Sequence, residues 1–293
     1  MNKKFTQRFA VPIIALSSFM VSINGLMVRS FESANEWQIV FGRNLFFFPA
    51  MLGVLCMVYR RQIFLIFRQM GWIGILAGLF LGGANTTVIL AISHTTVANA
   101  LFTLSACPLI TAVLARFILG ENISRSTILA IIVAMIGISI MVSDGLASDS
   151  PLGILIAIVC ALFFSLFVIC LRYGKERNML PASALGAFVG MVVGLLGANF
   201  DYSLSSYDYT LCFFWGGVVV TAVHFLFVIA SRYVTGAEIM LITLIEFTLG
   251  PIWVWWVFKE QPTITALVGG LLVLSAVAGR SILLMKQQPI KEE

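Results

Sequence analysis

The sequence contains little charge and almost no histidine. Only 11% of its 293 residues are Asp, Glu, Lys or Arg, whereas an average soluble domain has about 25%, and there are two histidines. The rest is apolar, with 60% hydrophobic residues and a mean hydropathy of +1.02. This balance excludes an ordinary water-soluble domain, and it excludes a disordered chain, which would be rich in charge. It predicts a membrane protein with several spans.

Close-paired cysteines, nucleotide-binding loops and metal-ligand spacings are also missing. The five cysteines lie singly in apolar segments, which is typical of small core residues rather than of disulfides or metal ligands. There is no P-loop, no Gly-rich dinucleotide fingerprint and no histidine pair at metal spacing. We therefore expect no cofactor and no metal, and we do not expect ATP-driven transport by this chain alone.

The sequence does contain continuous apolar segments that are long enough to cross a bilayer. A membrane β-barrel is not expected, because its strands would alternate in hydrophobicity. Ten apolar runs lie at about 9–28, 38–59, 72–92, 97–119, 127–143, 151–171, 182–200, 211–230, 237–258 and 264–285. The predicted fold class is an all-α polytopic membrane protein with ten transmembrane helices.

Basic residues divide unevenly between the two ends of these runs. With the N-terminus in the cytoplasm, 15 of the 18 Lys and Arg residues fall on the cytoplasmic side, and only Arg29, Arg43 and Lys259 fall on the other. Cytoplasmic loops carry such a positive excess. We therefore expect a multi-pass protein of the plasma (inner) membrane with both termini cytoplasmic. The net charge of +5 reflects this topology, so no nucleic-acid partner is expected.

An internal repeat appears when the sequence is shifted by 139 residues against itself. Without gaps, Pro12 then falls on Pro151 and Asn85 falls on His224. The expected units are a first five-helix repeat, 1–145, a second five-helix repeat, 150–286, and a short cytoplasmic tail, 287–293. Because five is odd, the second repeat enters the membrane from the opposite side. Such inverted repeats are the architecture of secondary transporters.

A recognisable pattern runs through both halves. It consists of 91–100, Pro108 and 119–124 in the first half, and of Glu246, 251–255, 259–262 and Gly269-Gly270 in the second. Together with Arg43 near the start of the second run, this pattern resembles the drug/metabolite transporter superfamily, EamA type, over nearly the whole chain.

The resemblance implies a basket of ten helices in which runs 1–4 and 6–9 surround a central cavity. It also implies transport of small metabolites, often amino acids and their relatives, and frequently export. Members of the family often carry a proline directly after the glutamate that matches Glu246. Here Phe247 follows that glutamate and the proline comes at Pro251, so a bend is expected one turn nearer the outer end of the helix.

Glu246 is the clearest ionisable residue inside an apolar run. Such a group costs about 2.5–3.5 kcal/mol at the centre of a span on insertion scales, which makes it a functional candidate. By helical spacing it shares a face with Thr243 and Trp253. We expect Glu246 to couple transport to protons or to bind a substrate amine; the alternative is a protonated glutamic acid with a structural role. Trp253 is a candidate for stacking on a ligand, whereas Trp255 and Trp256 are typical of an interfacial aromatic belt.

Asn85 and His224 are the repeat-related polar pair. If their helices cross at the pseudo-two-fold axis, the two side chains flank a substrate site near the membrane midplane. A structural role is the alternative for each, and it is the favoured one for both. Asn24 and Thr103 are further cavity candidates of the same kind.

Arg43 admits two interpretations. Its cation would hold a substrate carboxylate through two hydrogen bonds, or it would pair with Glu32 or Glu36 and anchor the helix end. The anchor is favoured, because arginines near the ends of spans normally reach toward the interface. The repeat-related Glu121 and Glu260 are expected to cap helix ends.

Glycines recur every four residues in the third and seventh runs. The two stripes are Gly74, Gly78 and Gly82, and Gly186, Gly190 and Gly194. Small-residue stripes of this kind let helix backbones approach closely, so we expect packing seams.

These features predict a secondary active transporter that moves a small polar metabolite, an amino acid or related amine, by alternating access. The expected partners are that small-molecule substrate, the lipid bilayer, and a proton or counter-substrate, and the sequence leaves the oligomeric state open. A lipid flippase of the same fold is one alternative. An intramembrane enzyme that pairs Ser93 or Ser231 with His94 or His224 is another, but no nucleophile motif supports it, and we expect no enzymatic activity.

Overall fold

The structure is a computed structural model that describes residues 3–120, 125–147, 151–174, 177–230 and 236–287. It is 87% helical, and the described residues contain no strand. Helices α1 to α13 cover Lys3–Val21, Asn24–Arg29, Glu36–Tyr59, Ile63–His94, Val97–Leu104, Cys107–Ile118, Arg125–Ala147, Pro151–Tyr173, Leu180–Gly197, Ser206–Cys212, Thr221–Ala230, Gly236–Phe258 and Ile264–Gln287. The all-helical prediction is confirmed.

Two segments depart from α-helical geometry. Arg60–Gln62 form one turn of 3-10 helix between α3 and α4, and Phe213–Val220 form a stretch of π-helix between α10 and α11. A third irregularity lies inside α4, where Gly71 adopts φ 62° and ψ −168° and kinks the helix. The apolar run expected at 72–92 therefore begins directly after the kink.

Several helices are long and apolar enough to cross a bilayer. Within the described ranges, six stretches meet this condition. Three further apolar helices are shorter, so that six to nine segments are candidates for membrane spans. One of the six, Glu36–His94, has 59 residues and would be about 90 Å long if straight, roughly three times the hydrocarbon core. The 3-10 turn divides it into α3 and α4. The protein is thus a multi-pass membrane protein.

The apolar core surrounds α3 and α4. Phe47, Met51 and Leu55 of α3 are fully buried, as are Ile89 and Ile92 of α4. These side chains belong to one cluster that also receives residues from α5, α8 and the π-helical stretch. Arg43 and Asn44 of α3 and Asn85 and Thr86 of α4 are buried polar residues in this interior.

The glycine stripes of α4 and α9 lie at helix contacts: Gly78, Gly82 and Gly186 lie between α4 and α9, whereas Gly190 and Gly194 face α3. A Cβ atom at Gly78 would touch the Leu185 side chain, and one at Gly82 would touch Val189. From the other side, a Cβ at Gly186 would touch Leu81. The missing side chains allow close backbone approach, as expected of a packing seam.

Backbone features recur at the 139-residue shift. Arg60 and Asn199 both have positive φ, 46° and 52°, and so do Gly120 and Lys259, 69° and 57°. Positive φ is uncommon for residues other than glycine, so its recurrence at equivalent positions is informative.

Helix contacts also correspond between the two halves. Each of α3, α5 and α7 packs against its repeat equivalent, α9, α12 and α13 respectively. In the first half α4 packs against α8 and α9; in the second, α11 with the preceding π-helical stretch packs against α1 and α3. When each helix is replaced by the helix 139 residues away, these contacts therefore correspond to one another.

Candidate functional site

Arg43 lies in the interior of the bundle on α3. The helix begins at Glu36 with a capping box, in which Asn35 Oδ1 accepts from the Trp37 and Gln38 amides and Gln38 Oε1 accepts from the Asn35 amide. Arg43 follows two turns later and is 2% exposed. Its Nη2 atom donates a hydrogen bond of 2.7 Å to the backbone carbonyl of Asn85.

The ring of Trp215 forms the second contact of this guanidinium. The guanidinium carbon lies 4.9 Å from the ring centroid, within the range of a cation–π interaction. Trp215 is fully buried, and its Nε1 donates a hydrogen bond of 2.9 Å to Asn24 Oδ1. Asn24, Trp215, Arg43 and Asn85 therefore form one continuous chain of contacts, which we call the Arg43 chain.

The π-helical stretch positions Trp215 against α3. A Cβ atom at Gly216 would collide with the backbone carbonyl of Arg43, whereas Gly217 has room for one. The Thr221 hydroxyl donates to the Gly216 carbonyl, five residues back. Stretches of π-helix are frequent at functional sites. Sequence analysis missed Trp215; the available signal was an indole N–H inside an apolar run, which needs an acceptor when buried.

Two hydrogen-bond donors of the Arg43 chain have no partner. They are Arg43 Nε and Asn85 Nδ2, and both are inaccessible to solvent. Further buried atoms without a partner are Asn44 Oδ1, Thr86 Oγ1, Asn99 Oδ1, Thr111 Oγ1 and Ser183 Oγ. Buried polar groups in native proteins are nearly all hydrogen-bonded, and leaving one unpaired costs about 1–3 kcal/mol. The cluster therefore requires an explanation.

The ion pairs of the described residues do not involve Arg43. Arg29 pairs with Glu260 at 2.9 Å, and His94 Nε2 lies 3.7 Å from Glu36. The favoured expectation was an Arg43 that pairs with Glu32 or Glu36 and reaches toward the interface. The structure instead buries it, because the capping box starts α3 early enough to carry Arg43 into the core.

Asn85 and His224 contact α3 one helical turn apart. Asn85 meets Arg43, while the His224 ring lies 4.9 Å from the ring of Phe47. Residues four positions apart share a helix face, so both contacts are made on the same face of α3. The His224 Nδ1 atom is also 2.9 Å from the Val220 carbonyl, which gives the ring a local hydrogen-bond partner.

Glu246, Thr243 and Trp253 lie on α12. Glu246 and Thr243 are half-buried and one helical turn apart. Trp253 Nε1 donates a hydrogen bond of 2.9 Å to Ser22 Oγ, and its ring meets Phe19 edge-on at 6.2 Å. Trp253 therefore ties α12 to the first run. Helix α12 runs unbroken through Pro251 to Phe258.

Cys160 on α8 contacts the backbone directly before Asn85. Its thiol donates to the carbonyl of Ala84 at 3.4 Å. Helix α8 therefore packs against α4 next to the Arg43 chain.

Thr103 belongs to α5 and bonds within that helix. Its hydroxyl donates to the Asn99 carbonyl at 2.7 Å, and the side chain is 1% exposed. The Thr96 hydroxyl caps the helix by accepting from the Asn99 amide at 3.2 Å. One helical turn before Thr103, the buried Asn99 Oδ1 atom has no hydrogen-bond partner.

Glu260 joins three helices at one end of the bundle, which we call the Glu260 end. Its carboxylate accepts from the Val97 amide, the first of α5, at 2.8 Å, and pairs with Arg29 at the end of α2. Arg29 also donates to the Thr95 carbonyl at 2.8 Å. Glu260 therefore caps a helix as expected. Its repeat equivalent Glu121 lies outside the described residues.

The serine and histidine residues considered for an enzyme are not assembled by the described part of the chain. His94 is engaged with Glu36, and His224 with a carbonyl of its own helix. Ser231 lies outside the described residues. No cluster of three or more His, Cys, Asp or Glu side chains that could hold a metal occurs among the residues described.

Comparison with known proteins identifies relatives that are transporters. Residues 8–143 match the model of the EamA-like transporter family. An uncharacterized transporter of Bacillus subtilis, YdfC, is 26% identical over 68% of this chain and 67% of its own. An S-adenosylmethionine uptake transporter of Rickettsia prowazekii is 25% identical over 89% of this chain and 88% of its own. Transporters of this kind are not enzymes.

A solved crystal structure shares the fold. It superposes with a TM-score of 0.69 over 96% of this chain and 100% of its own. The two sequences are 15% identical, so this likeness concerns the fold alone.

Proposed function

We propose that this chain is a secondary active transporter of the plasma membrane, because its residues 8–143 match the model of the EamA-like transporter family. The proposed cargo is a small polar metabolite, an amino acid or related amine. The proposed direction is export, and transport proceeds by alternating access. Both termini lie in the cytoplasm, as the distribution of basic residues favours.

The proposed architecture is a basket of ten helices in two inverted five-helix repeats, 1–145 and 150–286, followed by a tail, 287–293. The recurrence of positive φ at the 139-residue shift supports it. The exchange pattern of helix contacts supports it as well. Two halves related in this way can rock against each other about a central site.

The buried polar cluster around Arg43 is the observation that carries the functional proposal. Its unpartnered donors are Arg43 Nε on α3 and Asn85 Nδ2 on α4. Polar groups at this depth in a membrane protein mark substrate or ion pathways. Arg43 and Asn85 are 2% and 7% exposed, so the cluster is closed to solvent in this conformation. A substrate would reach it only when the helices separate.

The cavity residues proposed to serve transport are Asn24, Arg43, Asn85, Thr103, His224, Thr243, Glu246 and Trp253. Glu246 is the proposed coupling or amine-binding carboxyl. S-adenosylmethionine, the cargo in the name of the Rickettsia relative, carries an amine and a carboxylate, which fits this substrate class. That relative's name specifies uptake, so uptake is the competing direction.

Transport by purified protein in liposomes tests the proposal. Loaded vesicles should release or exchange a radiolabelled amino acid or amine, and a proton gradient or counter-substrate should change the rate. Glu246→Gln should slow transport at least tenfold and flatten its dependence on pH between 5 and 8. Glu32→Gln, the same chemical change at an exposed carboxyl, is the matched control. Wild-type rates in Glu246→Gln over that range would refute the role of Glu246.

A further inference from the structure

We infer that Arg43 and Asn85 form an anion-binding subsite and that the substrate carries a carboxylate. This inference rests on the proposed transport function and narrows its substrate class. Neither the family match nor the names of the relatives assigns a ligand to these two residues.

The unpartnered atoms of the two side chains are both donors. Arg43 Nε and Asn85 Nδ2 each carry an N–H without an acceptor. The two residues are already joined, since Arg43 Nη2 donates to the Asn85 carbonyl at 2.7 Å. Two N–H groups on joined residues suit an acceptor with two oxygen atoms, which is the geometry of a carboxylate.

The charge of Arg43 favours the same ligand. A guanidinium keeps its proton in proteins, and a buried cation without a counter-ion is costly. The Trp215 ring and the Asn85 carbonyl compensate part of that charge, but neither is an anion. In the described structure Glu260 pairs with Arg29, and Glu36 lies 3.7 Å from His94 Nε2. One bound carboxylate would supply the missing single negative charge.

A phosphate monoester fits less well. It carries about −1.5 to −2 charges and three acceptor oxygen atoms, and it is usually met by several basic groups. The Arg43 chain offers one cation and two free donors. The geometry therefore favours a monocarboxylate.

Trp215 and Asn24 act as positioning residues. The indole ring lies under the guanidinium at 4.9 Å, and its own N–H is held by Asn24 Oδ1 at 2.9 Å. All four residues of the Arg43 chain are at least nine-tenths buried. The Trp215 ring thus covers one face of the guanidinium, and the Asn85 carbonyl accepts from Nη2. The Nε–H group remains for a hydrogen bond to the ligand.

Binding measurements on the detergent-solubilised full chain test the subsite. The probes are the twenty common amino acids, the carboxamide and decarboxylated amine of each one that binds, and inorganic phosphate. The wild type should prefer each carboxylate over its carboxamide by about 10- to 100-fold. Arg43→Gln should reduce this preference to less than about threefold, while Arg61→Gln, at an exposed arginine, should retain it.

Several outcomes would overturn the inference. They are an unchanged preference in Arg43→Gln, equal binding of carboxylate and carboxamide by the wild type, and tighter binding of phosphate than of any carboxylate. Should Arg43→Gln fail to fold, Arg43→Lys keeps the charge without the planar fork and should show an intermediate preference. If liposomes move only metabolites without a carboxylate, the subsite is refuted while the transport proposal stands. If they move nothing, the transport proposal fails first.

The positioning role has its own readout. Trp215→Phe keeps a ring under the guanidinium and should retain the carboxylate preference, whereas Trp215→Leu and Asn24→Ala should weaken it about three- to tenfold. A purely structural role would lower the melting temperature of these variants without changing the ratio of the two dissociation constants. That result would refute positioning.

Discussion

At the scale of single residues, Asn85 contributes one backbone acceptor and one side-chain donor to the Arg43 chain. Its backbone carbonyl accepts a hydrogen bond from Arg43, while its side-chain nitrogen Nδ2 has no partner. Because the backbone hydrogen bond holds residue 85 next to Arg43, a charge placed on this side chain would act directly on the guanidinium. Asparagine and aspartate have nearly the same shape, which makes the position suitable for a charge test.

Asn85→Asp should block the proposed anion subsite from within. The new carboxylate would pair with Arg43, so carboxylate ligands should bind about 10- to 100-fold more weakly, because the cation is already neutralised. Dissociation constants for a carboxylate ligand provide the measurement. Asn85→Ala, which removes the amide without adding charge, should weaken binding only about three- to tenfold. Equal effects of the two substitutions would contradict the electrostatic explanation.

Residue patterns predicted some side-chain contacts and missed others. Glu260 was expected to cap a helix and does so at Val97. Arg43 was identified as a candidate, but its burial depends on where α3 begins, which the Asn35 and Gln38 cap decides. Trp215 was missed because its acceptor Asn24 lies 191 positions away, and contacts of such long range have no local signature.

At the scale of helices, the π-helical stretch brings two backbones into contact. Gly216 lies so close to the Arg43 carbonyl that a methyl group has no room. Gly217 is its neighbour, with a nearest side-chain atom 3.6 Å from a Cβ. Comparing alanine substitutions at Gly216 and Gly217 therefore separates the effect of crowding against α3 from the general effect of replacing a glycine.

Gly216→Ala should destabilise the protein by about 1–3 kcal/mol, the usual cost of overpacking. Gly217→Ala should be neutral or slightly stabilising, because alanine favours helix over glycine. Thermal or denaturant unfolding in detergent measures both. Equal stability of the two variants would show that the Arg43 backbone yields to the added methyl.

The contact at the Glu260 end joins helix termini rather than helix faces. Glu260→Gln should cost about 1–2 kcal/mol, because it removes the ion pair with Arg29 and weakens the cap on α5. A double-mutant cycle with Arg29→Gln measures the pair itself, and we expect a coupling of about 0.5–3 kcal/mol. Zero coupling would mean that solvent screens the pair completely.

Helix location was largely predictable, and helix irregularity was not. Continuous hydrophobicity placed the apolar runs where helices lie, since a span must satisfy its backbone internally. The kink at Gly71 and the π-helical stretch were not foreseen. Both depend on neighbours: a Cβ at Gly71 would meet Arg177, and Gly216 meets α3.

At the scale of the whole molecule, the two halves have equivalent turns on opposite sides of the membrane if the repeat is inverted. Arg60 and Asn199 occupy such a pair of turns, and both are exposed with positive φ. They provide a direct test of topology, since one position should face the cytoplasm and the other the outside.

Single cysteines at these positions should be labelled from opposite sides. In a background without the five native cysteines, Asn199→Cys should react with a membrane-impermeant maleimide on intact cells. Arg60→Cys should react only after the membrane is opened. Labelling of both positions from the same side would refute the inverted repeat, and the reverse pattern would refute the cytoplasmic placement of the termini.

The π-helical stretch has no counterpart in the first half, where the equivalent residues 74–81 are regular α-helix. A π turn holds more residues than an α turn, so α11 emerges at a different angle from the end of α4. The halves are therefore related but not interchangeable. In the proposed alternating-access carrier, two identical halves would give end states of equal free energy. The π-helical stretch would make these free energies unequal, so that one resting orientation would be favoured even before any ion gradient acts.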